Sequence, residues 1–61
     1  MSTYTYGAYE DYYWEDKYYA ILKKGFFGGW KEIRTYKYTE AGKERMMDAV
    51  EQLKKQGHLV L

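Results

Sequence analysis

All thirteen aromatic residues of this 61-residue chain lie between Tyr4 and Tyr38, and nine of them are tyrosine. Tyr and Trp join a large apolar body to a polar tip, and they are enriched among the residues that anchor binding surfaces. A domain of about 60 residues buries only about 60% of the surface its unfolded chain exposes. Thirteen rings exceed what such an interior can enclose. The surplus points to a contact surface, turned towards another copy or a different partner.

The aliphatic content sharpens this constraint. Ile, Leu and Val number eight, and three of those are Leu59, Val60 and Leu61. The core must therefore be built largely from tyrosine rings. A buried tyrosine needs a partner for its hydroxyl, so several of the nine should stay half-exposed. Chains this small usually need disulfides, metal, oligomerisation or very good packing. With no Cys, and His58 as the only His, disulfides and a Cys/His metal site are out. Packing and oligomerisation remain, and a two-fold dimer is the simplest cover for surplus aromatic surface.

No positively charged start leads into an apolar run, and no stretch approaches the roughly 20 apolar residues of a membrane span. The expectation is a soluble, cytoplasmic protein (host cytoplasm if it is viral) with no membrane partner. The absence of Cys fits a reducing compartment.

The net charge of +1 conceals a regional division. Residues 1–16 carry Glu10, Asp11, Glu15 and Asp16 with no base, giving −4. Residues 17–38 carry six bases against Glu32, giving +5, and residues 39–61 are balanced. An acidic arm lying beside a basic sheet accounts for this pattern, within one protomer or across a dimer. Two blocks facing different macromolecules account for it as well. Exposed pairs contribute roughly 0–1 kcal/mol each, so the pattern serves orientation more than affinity.

The chain reads as one α+β domain over 1–61: a β-hairpin or small antiparallel sheet packed against one C-terminal amphipathic helix. Residues 1–16 form an acidic, Tyr-rich arm or edge strand. Thr3 to Tyr6 alternate as a strand does, Gly7 can break it, and Tyr9, Tyr12 and Tyr13 have helical spacing. Residues 17–38 form the hairpin. Its first strand, 17–24, is apolar on both faces, and Lys23 and Lys24 would blunt an edge. The GFFGG loop at 25–29 supplies the glycines that tight turns need. Either one of Phe26 and Phe27 folds back as a plug, or they form an exposed finger. In the second strand, alternation puts Trp30, Glu32, Arg34, Tyr36 and Tyr38 on one face.

Residues 39–57 form the helix. Thr39 is its N-cap, Glu40 suits the positive dipole end, and Met46, Ala49, Val50 and Leu53 make an apolar stripe. Gly57 ends it, and His58 follows near the negative end of the dipole. Gly42 would let an aromatic ring approach closely. The apolar tail 58–61 should pair as a short strand or pack under the helix.

Catalysis by hydrolysis or group transfer needs a nucleophile, a base and an electrostatic stabiliser held together. The chain offers Ser2 and His58 alone, so no catalytic residue, no metal site and no cofactor is expected, and the protein is read as not an enzyme. The carboxylate pairs Glu10–Asp11 and Glu15–Asp16 are sequence neighbours, which a strand points to opposite faces. The loop GFFGG lacks the GK[ST] ending of a phosphate loop.

The expected function is a non-enzymatic protein-interaction module that grips a larger protein through Tyr9, Tyr12, Tyr13, Trp14, Phe26, Phe27 and Trp30. Its size and lack of catalytic residues give it the general look of small accessory proteins encoded by phages or mobile elements, which bind and inhibit a host protein; no motif carries that likeness. One alternative is single-stranded DNA or RNA binding by the basic aromatic hairpin, through Lys23, Lys24, Lys31, Arg34, Tyr36 and Lys37. A second is a structural homo-oligomer.

Overall fold

The computed structural model describes residues 1–61. It is an α+β fold, a four-stranded mixed sheet with one helix packed on one face. The elements are β1 (Thr3–Glu10), β2 (Lys17–Lys24), β3 (Trp30–Lys37), α1 (Glu40–Lys55) and β4 (Leu59–Val60). The strand order is β3-β2-β1-β4; β4 runs parallel to β1 and the other pairs are antiparallel.

Between arm and strand for the N-terminal segment, the outcome is strand. The alternation at Thr3–Tyr6 continues through Gly7 to Glu10, and β1 pairs with β2 along Tyr4–Glu10. Its other edge is covered by β4 only at Thr3 and Tyr4. The apolar tail pairs as a short strand, with Leu59 N–H donating to Ser2 O and Leu61 N–H to Tyr4 O. Because β2 lies inside the sheet, Lys23 and Lys24 blunt no edge. β3 forms one edge of the sheet and protects itself with Lys31, Arg34, Lys37 and a bulge.

The helix stripe covers one sheet face. Met46 and Val50 pack with Tyr4 and Ile21, flanked by Tyr6, Tyr19, Tyr36, Ala49, Leu53 and Val60. This core is tyrosine-rich because the chain has few aliphatic residues. Tyr36 carries a cost: its hydroxyl is buried without a hydrogen-bond partner.

Local chemistry fixes both helix ends. Thr39 Oγ1 accepts from Gly42 N–H at 3.0 Å. Beyond Gln56, the Gly57 backbone turns left-handed at φ 90°. Gly57 N–H donates to Lys54 O and His58 N–H to Leu53 O, the paired bonds of a Schellman close. His58 is thereby carried past the helix to the start of β4. There its Nδ1 accepts from Ser2 N–H at 3.1 Å and its ring meets Tyr4 edge-on.

Gly42 serves a different contact from the one expected. Its neighbour is backbone: a Cβ built there would lie 1.9 Å from Lys37 O. The missing side chain lets the first helical turn press against the end of β3.

Alternation within β3 also fails. Tyr19 pairs with Tyr36, Ala20 with Thr35 and Ile21 with Arg34, but Leu22 pairs with Glu32, leaving Ile33 as an extra residue. Cross-strand partners share a face. Arg34 and Tyr36 therefore lie on the helix side, whereas Trp30 and Glu32 lie on the open face with Thr35 and Lys37. Ile33 stays 43% exposed and lines a groove together with Ile21, Ala49 and Leu53.

Candidate interaction surface

Two hairpin turns carry the surplus rings. The first, between β1 and β2, is closed by Asp11 N–H donating to Asp16 O and Glu15 N–H to Asp11 O, both at 2.8 Å. The Asp11 carboxylate also accepts from Tyr13 N–H at 2.9 Å and Trp14 N–H at 3.3 Å. This side-chain mimic of a turn is a habit of aspartate. Glu15 takes the left-handed conformation, φ 55°, that returns the chain to β2. Tyr12, Tyr13 and Trp14 therefore stand on a hydrogen-bonded turn, 97%, 85% and 73% exposed. Glu10, Asp11, Glu15 and Asp16 surround them.

The second turn, between β2 and β3, holds Phe26 and Phe27. Gly28 N–H donates to Gly25 O at 3.0 Å, Gly28 adopts φ 96°, and Gly25 N–H donates to Gly29 O. This is a type I turn followed by a left-handed glycine, a common hairpin closure. Both phenylalanines occupy its corner, each 97% exposed, their rings edge to face at 5.2 Å. Neither folds back as a plug. The turn points both away from the sheet, where they meet only each other.

The seven residues expected to grip a partner do not form one patch. The eight residues of β2 separate the two turns, by about 23 Å at 3.3 Å per residue. Tyr12, Tyr13 and Trp14 stand at one end of a molecule 33 Å long; Phe26, Phe27 and Trp30 stand at the other. Tyr9 belongs to the sheet between them. Its ring rests on Gly7, where a Cβ would meet it at 3.9 Å, and lies 6.3 Å from the Tyr18 ring on the open face.

Tyr18 adds a feature that alternation missed. Its hydroxyl donates to Glu32 Oε2, which the bulge has brought onto the same face. That bond holds the phenol protonated and raises its pKa above 10.0, with smaller contributions from desolvation and from the Glu32 and Asp11 charges. On the other face Tyr38 stacks on Tyr19 at 4.9 Å, with Lys17 Nζ 5.9 Å from the Tyr38 ring centre.

The residues of the nucleic-acid alternative lie on both faces of the sheet, and the bulge moves Lys31 to the side of Arg34 and Tyr36. Lys24 and Lys37 lie on the open face, while Lys23, Lys31, Arg34 and Tyr36 lie on the helix side. No three metal-binding side chains converge anywhere, and no helix is long and apolar enough to cross a membrane. Compared with family models, curated proteins and solved structures, the chain matches none.

Proposed function

We propose that this chain is a non-enzymatic protein-interaction module, and that the acidic aromatic turn at Asp11–Asp16 is its grip. The supporting observation is the preorganised exposure of Tyr12, Tyr13 and Trp14. A turn whose backbone is already held by Asp11 loses less further freedom on docking, which improves affinity without new contacts. Four carboxylates around them select a basic partner surface and steer the encounter. Such a grip suits a small cytoplasmic accessory protein, of phage or mobile-element type, that occupies and inhibits a basic cleft on a larger host protein.

The half-exposed open face, with Tyr9, Tyr18, Leu22 and Trp30, supports self-association as a second reading, through a two-fold dimer. Single-strand binding draws less support, because its basic residues lie on opposite sides of the sheet.

The test is capture of the partner on immobilised protein, followed by calorimetric titration of the purified pair. Trp14→Ala and Tyr13→Ala should each weaken binding by about 2 kcal/mol or more, the mark of an anchor residue. Unchanged affinity in both, with the fold intact, would remove the turn from the site.

A further inference from the structure

The end of the sheet opposite the acidic turn has its own chemistry. Phe26 and Phe27 crown it, both 97% exposed. Directly below the turn Lys24 pairs with Trp30, and one step further Lys23 pairs with Lys31. Pairing puts Lys24 and Trp30 on the open face and Lys23 and Lys31 on the helix side, so the lysines collar the two rings. No carboxylate occurs between Lys17 and Lys31. Like charges placed directly opposite each other oppose strand pairing. The facing of Lys23 and Lys31 thus works against the hairpin unless an external anion sits there. The helix adds Lys54 and Lys55, because α1 runs from the acidic end back to the start of β4, beside Thr3.

We propose that this hairpin end docks on an anionic phospholipid surface, with Phe26 and Phe27 dipping into the boundary between headgroups and acyl chains. The order along the hairpin matches the layers of such a boundary: apolar rings outermost, then a tryptophan, then lysines whose stems reach back to the phosphates. Insertion reaches about 5–10 Å, roughly the depth from the turn to Trp30 at 3.3 Å per residue. The charge division supplies the orientation. An anionic leaflet attracts the lysine collar and repels Glu10, Asp11, Glu15 and Asp16 at the far end, leaving the acidic turn pointing into solution. The want of a spanning helix concerns spanning alone; a surface-docked hairpin needs none, and this reverses the sequence-based expectation of no membrane partner. The proposal stands independently of the role assigned to the acidic turn.

Co-sedimentation of the purified protein with phosphatidylcholine vesicles, with and without phosphatidylserine, tests it. Binding is expected only with phosphatidylserine, weakening as salt rises. Phe26→Ala and Phe27→Ala should each lower the partition constant about tenfold, and Lys24→Gln about fivefold. Because the two rings touch only each other, these variants should keep the wild-type circular dichroism. In a Trp14→Phe background, Trp30 emission should shift to the blue on adding vesicles, a readout independent of the variants. Three results would overturn the proposal: no binding to phosphatidylserine vesicles, binding indifferent to both phenylalanines, or tighter binding to a single-stranded oligonucleotide with the same loss on Phe→Ala.

Discussion

Gly42 shows how a single missing methyl sets the packing of helix on sheet. Helix propensity alone favours Gly42→Ala by about 1 kcal/mol. The new Cβ, however, would stand 1.9 Å from Lys37 O, a backbone atom that cannot swing aside. Overpacking of this kind costs about 1–3 kcal/mol, so urea unfolding should show a net loss of stability; a gain would mean that α1 does not press on β3. Tyr36 invites the opposite change. Its hydroxyl is buried and unpartnered, and removing such a group relieves its desolvation. Tyr36→Phe should leave the melting temperature unchanged or raise it. Tyr18 gives a pH signature. Its folded pKa is raised, so the stabilisation from its bond to Glu32 is complete below the unfolded value near 10.0 and is lost as pH rises through the folded one. In an alkaline titration, Tyr18 should ionise later in the wild type than in Glu32→Gln; no difference between the two would remove the bond to Glu32 as the cause.

At the scale of elements, legibility followed local chemistry. Thr39, Glu40 and Gly57 mark the helix, and Gly28 marks the turn, because caps and left-handed positions select particular residues. The bulge at Ile33 was not legible. A two-residue period records which faces alternate and carries no sign of an inserted residue. The groove that Ile33 lines has helix residues Ala49, Gln52 and Leu53 as its other wall, which a strand pattern does not record. That one insertion separated Arg34 and Tyr36 from Trp30 and brought Glu32 to Tyr18, so the expected constellations broke there. For the acidic turn, the ring content was readable but its order was not. Asp11 holds Tyr13 and Trp14 through its side chain, a role that aspartate before a turn suggests and does not prove. Asp11→Ala should weaken partner binding in calorimetry by about tenfold, as the turn loses preorganisation, while circular dichroism of the sheet and helix stays the same. Full affinity in that variant would show that the turn's order contributes nothing.

For the whole molecule, a small core carries the fold and a large aromatic exterior is left over. At 0.05–0.15 kcal/mol per residue, a domain of this size has roughly 3–9 kcal/mol of stability. Ile21 and Val50 are its largest fully buried side chains, and truncating Ile21 to alanine should remove about 2–5 kcal/mol, a large share of the total. The rings on the two turns belong to a different economy: Tyr12, Tyr13, Trp14, Phe26 and Phe27 lie outside the cluster of buried residues and stand in solvent at opposite ends. Opposite charge at those ends gives the molecule a direction. The most direct measurement is urea unfolding of a variant in which all five are replaced by serine. Surface positions that hold nothing together change stability by no more than about 0.5 kcal/mol each. The midpoint should stay close to wild type, with the same slope, while the contacts made by both ends disappear. A loss of several kcal/mol would contradict the account, because those rings would then be part of what keeps the chain folded.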